Sequence, residues 1–131
     1  MKNSTGYTNE HAEKKAAPPE IEAWPNQFPD RDYLIDIEIP EFTCRCPKTG
    51  QPDFATLQIK YVPDQLCLEL KSLKLYLQTF RETGIFHENI VNQLRDDILV
   101  SAKPKNIQVI GKFNARGGIL TEVRSGWPTT E

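Results

Sequence analysis

The residues best suited to chemistry lie in one short run, FTCRCPKTGQPDF, from Phe42 to Phe54. Arg45 and Lys48 flank Cys46. Cations beside a cysteine lower its pKa and populate the thiolate, which is the nucleophilic form. Pro47 opens a turn that Thr49-Gly50 continues, which predicts Cys46 at an exposed strand-to-loop junction. Asp53 follows, and a compact turn brings its carboxyl near Cys46 as a proton donor. A plain buried cysteine competes for Cys46. On spacing alone, an aspartate that starts a strand or caps a turn is the commoner reading of Asp53. Cys44 and Cys46 stand at i and i+2, so an extended chain turns both to one side. With His87 they match the ligand count of a Cys₂His catalytic zinc site, although C-x-C is a weak signal beside the wider spacing of structural zinc. Cys67 sits in an apolar alternation and reads as core.

Two further groups bear on binding. His87-Glu88 falls at the start of a predicted helix. An ionised carboxylate only accepts hydrogen bonds, with two oxygens, and so suits the paired N–H donors of the guanine-type edge of a purine or pterin. A glutamate favoured by the helix dipole is the plainer account. The run Glu69-Leu70-Lys71-Ser72-Leu73-Lys74 leads into another predicted helix. N–H groups at a helix N-terminus, with Ser72 and two lysines, form a phosphate site. A capped amphipathic helix with solvated lysines accounts for the same residues. No G-x-G-x-x-G occurs, so nothing points to a Rossmann domain.

The elements that must hold these residues follow from periodicity. Residues 33–39 alternate apolar and polar as a half-buried strand does, and Pro40 is expected to end them. Residues 55–62 alternate again, Pro63-Asp64 marks a turn, and 66–70 forms a short extended piece. The period then changes. Leu73, Leu77 and Phe80 share one helical face, with Ser72 as the expected cap and Gly84 as the stop. Ile90, Leu94 and Ile98 recur every four residues with Val91 beside them, until Pro104. Strands over 106–113 and 118–124 follow, joined by a hairpin loop at 114–117. Two helices between two strand pairs indicate an α+β fold with an antiparallel sheet.

The chain has 131 residues, with 1–20 expected as a flexible tail and 21–131 as a single domain. The tail has no apolar h-region, and no run in the chain is long enough to span a bilayer. A net charge of −2 gives no sign of nucleic-acid binding. Three cysteines, an odd number, suggest a reducing cytoplasm. The sheet leaves two edges for a small chain to protect, so pairing between copies is expected.

Together, FTCRCPKTGQPDF, ELKSLKLY, FHEN and GKFNARGG make the chain resemble the single-module 7-cyano-7-deazaguanine reductases, the NADPH-dependent nitrile reductases of queuosine biosynthesis. The resemblance covers roughly residues 32–123. The family stretch E-[S/L]-K-S-x-K-x-Y is matched by Glu69, Leu70, Lys71, Ser72, Lys74 and Tyr76. The resemblance implies the T-fold, or tunnelling fold, with subunits assembled into a barrel and active sites between them. It implies Cys46 as nucleophile and Asp53 as proton donor, with His87, Glu88, Leu68, Glu69 and Leu70 at the deazaguanine. Lys71, Ser72, Lys74 and Arg116 are assigned to NADPH, with no metal. Some relatives carry a cysteine after the His-Glu pair that shields the nucleophile as a disulfide, but Asn89-Ile90 stands here. A cysteine at 44 is unusual in that family, and its role is open. Two other classes stay in view: a T-fold zinc hydrolase using Cys44, Cys46 and His87, and a binding module without chemistry. A related amidinotransferase would share the cysteine but lack the NADPH motif.

Overall fold

The computed structural model describes residues 20–127; the expected tail, Glu20 apart, lies outside them. The main sheet has four antiparallel strands in the order β2-β3-β5-β6. These are β2 (Ile35–Arg45), β3 (Pro52–Val62), β5 (Asn106–Arg116) and β6 (Ile119–Gly126). A separate two-stranded piece pairs β1 (Ala23–Pro25) with β4 (Leu66–Leu68), and β1 went unseen in the sequence. Between β4 and β5 come α1 (Leu70–Gln78), a 3₁₀ turn (Thr79–Glu82) and α2 (His87–Ala102).

Pro40 does not end its strand. β2 runs through it with a register shift between Ile39 and Phe42. A proline lacks the ladder N–H, and an edge strand absorbs that loss in a bulge. The bulge resets the side-chain parity, so that Phe42, Cys44 and Cys46 all become buried. On β3 the alternation Asp53, Ala55, Leu57, Ile59, Tyr61 is buried throughout. Asp53 thus stands on the core-facing side of its strand, opposite Cys44 in the ladder. The two strand ends present Cys46 and Asp53 to one region.

Both helices behave as their apolar spacing requires. Leu73, Leu77 and Phe80 are buried from the first segment, and Ile90, Val91, Leu94 and Ile98 from the second. The expected cap at Ser72 is displaced to Glu69, whose carboxylate accepts the N–H of Ser72 at 2.7 Å and of Lys71 at 3.0 Å. Ser72 is turned inward instead, donating to the Glu69 carbonyl and accepting the Glu22 N–H. The first helix gives way to the 3₁₀ turn after Gln78, short of the expected stop at Gly84. α2 ends on Lys103 in the left-handed conformation, just before Pro104. α2 lies close against β5: a Cβ on Gly111 would sit 2.7 Å from the Val91 side chain and 2.8 Å from the Phe113 ring. The β5–β6 hairpin is tighter than expected, since Gly117 and Gly118 both take positive φ and the strand reaches Arg116.

Candidate active site

Cys46 begins a turn closed by two backbone hydrogen bonds. Its N–H donates to the Gln51 carbonyl at 2.8 Å, and its carbonyl accepts the Gly50 N–H at 2.9 Å. The turn is strapped to the segment before α2. Arg45 donates its N–H to Thr83, the Ile85 N–H returns to Arg45, and a Cβ on Gly84 would lie 3.0 Å from Pro47 Cα. That strap brings His87, the first residue of α2, to the same place as the turn. The His87 ring stacks on Phe113 of β5 at 3.7 Å and 9°. Its Nε2 lies 3.3 Å from Asp53 Oδ2. Arg116, the last residue of β5, donates Nη1 to the other oxygen, Asp53 Oδ1, at 2.6 Å. Cys46, Thr49, Asp53, Phe54, His87 and Arg116 line one cleft of about 710 Å³.

The expected exposure of Cys46 is not found: the residue is only 6% exposed, and Asp53 3%. Burial alone would raise the Cys46 thiol. The Thr49 hydroxyl, the amide N–H groups of Thr49 and Lys48, and the Arg116 guanidinium outweigh it and bring the thiol down to about 7. The cause expected from sequence therefore changes. Arg45 is bound to Glu82 and to the Gly50 carbonyl, and Lys48 acts through its backbone. Cys44 differs sharply. It is fully buried, and burial followed by the Asp53 carboxylate pushes it up to about 12. Among the described residues, no three His, Cys, Asp or Glu side chains converge as a metal requires. The Cys44–Cys46–His87 zinc triad is therefore not assembled.

The residues singled out around the start of α1 lie elsewhere in the protomer. Leu68, Glu69 and Leu70 line a second cleft with Trp24, Phe28 and Tyr33. Leu70 and Lys74 line a third, between α1 and β2, with Arg81. Neither shares a lining residue with the Cys46 cleft. Ser72 is buried with its hydroxyl engaged, and the first N–H groups of α1 are occupied by Glu69, so the expected phosphate site at that helix end is filled by the protein itself. Glu88 is exposed on the first turn of α2, next to His87. Arg116, expected at the cofactor, is bound instead to Asp53 and Cys46. Thr49 and Phe113 were missed. Thr49 lay in plain view inside the CPKTGQPD run, and Phe113 follows from the inward parity of β5.

The family model for QueF-like proteins matches residues 52–129. The chain belongs to the QueF-like family. A protein of Nitrosococcus oceani named NADPH-dependent 7-cyano-7-deazaguanine reductase is 56% identical over 82% of this chain and 88% of its own length. One of Elusimicrobium minutum with the same name is 56% identical over 90% of each chain. A solved structure, the archaeosine synthase QueF-Like in the apo form, aligns with a TM-score of 0.67 at 20% identity, over 71% of this chain and 91% of that one. This likeness shows the fold, and the antiparallel sheet with two helices is the T-fold expected for the QueF-like family.

Proposed function

We propose that this chain reduces the nitrile of 7-cyano-7-deazaguanine to the aminomethyl group, with NADPH as reductant, in queuosine biosynthesis. The observation that carries the reading is a thiol held near neutrality, facing the same cleft as a buried carboxyl. The high identity to relatives named for this reaction supports it.

A nitrile carbon is a poor hydride acceptor. Cys46 thiolate adds to it while Asp53 gives a proton to the nitrogen, forming a covalent thioimide whose C=N is more electrophilic. NADPH, when bound, supplies hydride to carbon, twice per nitrile. Cys46 leaves the reduced carbon as thiolate, and the donors around its sulfur make it a good leaving group. The remaining imine must be kept from water, which a closed cleft does. Nitrogen takes up two protons in all. Asp53, almost sealed from solvent, is reloaded through His87, which touches it on one side and lines the cleft on the other.

The residues present fit a nicotinamide dinucleotide by their chemistry. The groove between α1 and β2 has apolar walls from Ile37, Ile39, Leu73 and Leu77, with Lys74 and Arg81 for phosphate, and Lys71 lies exposed on the same helix. Glu88 and the segment Leu68-Glu69-Leu70 are assigned to the deazaguanine. Glu88 stands beside His87 at the rim of the Cys46 cleft, whereas Leu68-Glu69-Leu70 and the α1 lysine Lys74 line clefts separate from it, which supports an assembly in which one subunit supplies the nucleophile cleft and its neighbour the rest. None of the three cysteines is in a disulfide, which accords with a reducing cytoplasm. Among the described residues, no helix is long and apolar enough to cross a membrane.

Intact-protein mass tests the mechanism. Substrate without NADPH should raise the mass by the whole substrate, because addition to a nitrile expels nothing. Cys46→Ala should give no adduct. Normal turnover by Cys46→Ala would end this mechanism.

A further inference from the structure

We propose that Thr49 is a positioning residue for the Cys46 thiolate, its hydroxyl held by the Gln51 N–H so that its hydrogen points to sulfur. The inference rests on Cys46 as the nucleophile, and it adds the group that keeps this nucleophile in its reactive form.

The turn 46–51 supplies the geometry. Its two backbone bonds tie Cys46 to Gln51 and to Gly50, and Gly50 takes φ +74, a left-handed conformation that glycine adopts without strain. So folded, the turn carries Thr49 back over its own first residue. Thr49 Oγ1 accepts the Gln51 N–H at 3.2 Å. A hydroxyl has one hydrogen and two lone pairs. With a lone pair committed to Gln51, the hydrogen is left to donate, and Thr49 lines the cleft beside Cys46. The Thr49 and Lys48 amides donate to the same sulfur, making a small cradle of donors within four residues.

Cys46 is largely buried at the wall of the cleft, so fixed donors must replace much of the water around its charge. Arg116 is the other donor, but it sits at a hairpin tip, is 38% exposed, and is shared with Asp53. A nitrile held between Cys46 and Asp53 must compete with that guanidinium for both. The turn donors face no such competition. They hold the thiolate before addition and receive it again when the reduced carbon expels it.

Iodoacetamide alkylation of Cys46, followed by peptide mass against pH, tests the role without any turnover. In this reaction sulfur displaces iodide, so the rate reports the thiolate fraction. Thr49→Val keeps the shape and removes the hydroxyl. It should move the midpoint up by about one pH unit, slowing alkylation about tenfold at pH 6 and leaving the alkaline plateau unchanged. Thr49→Ser should restore the midpoint. Thr49→Ala serves as a second variant should valine disturb the turn, and it should match Thr49→Val. An unmoved midpoint in both hydroxyl-free variants would overturn the proposal. So would a lowered plateau with an unmoved midpoint, which marks a purely structural turn residue. If Cys46→Ala retained turnover, the nucleophile reading would fail, while the alkylation profile would still decide what Thr49 does.

Discussion

Arg116 touches both halves of the proposed chemistry. Its guanidinium lowers the Cys46 thiol and pairs with Asp53 at 2.6 Å. The sign of its removal follows directly. A thiol held below its ordinary range is thiolate above about pH 7 and is protonated as pH falls through that value. Arg116→Met should therefore shift the acid limb of activity toward higher pH, so that the loss is greatest below neutrality and smaller above pH 9. Equal loss at every pH would assign Arg116 to cofactor binding alone. Asp53→Asn removes the acid and should slow formation of the mass adduct roughly 10²–10⁴-fold, measured by stopped mixing. Glu88→Gln turns an acceptor-only group into a mixed amide. Substrate affinity should fall roughly 10- to 150-fold with the melting temperature unchanged. Unchanged affinity would leave Glu88 as a helix-start residue and nothing more.

At the scale of elements, the site depends on how α2 lies against β5. Gly111 permits that approach, and the Phe113 ring beside it carries His87. Gly111→Ala drives a methyl into Val91 and Phe113. It should cost about 1–3 kcal/mol in chemical denaturation, and it should reduce activity in the fraction that stays folded, because His87 tilts with its support. Full activity in a destabilised variant would separate the stacking from the chemistry. Much of this framework was legible beforehand, since period two and period four are imposed by burial. The strands and both helical faces followed from Ile37, Leu57, Ile59, Leu73, Leu94 and their neighbours. What was not legible depended on contacts between distant segments. Ser72 looked like a cap because its hydroxyl type suits one, but Glu69 reaches the same N–H groups and the Glu22 N–H claims the serine. Arg45 looked like the activating cation because it is adjacent, yet Glu82, far along the chain, holds it. Arg116 reaches Cys46 only through the pairing of β3 with β5, which no local pattern reveals.

For the whole molecule, the division of the assigned residues among separate clefts makes a sharp expectation. Light scattering should give a mass several times that of one chain, and a monomer at working concentration would rule out shared sites. Cys46→Ala and the pair Lys71→Glu with Lys74→Glu should each be inactive alone. Mixed under dissociating conditions and reassembled, they should recover part of the activity, because some interfaces then join an intact nucleophile cleft to an intact helix. No recovery in verified mixed assemblies would place the whole site within one subunit. β2 and β6 lie at the two edges of the four-stranded sheet and are the surfaces available for such pairing. The bulge at Pro40 has a consequence there. A strand arriving at the outer edge of β2 meets five residues of regular backbone, 35–39, and then the bulge, where the even spacing of donors and acceptors breaks. It cannot slide along the full length of β2 and remain bonded at every step. Misaligned neighbours lose hydrogen bonds at the bulge, so the edge favours one alignment over its shifted copies. The same interruption denies open-ended edge-to-edge stacking a continuous template.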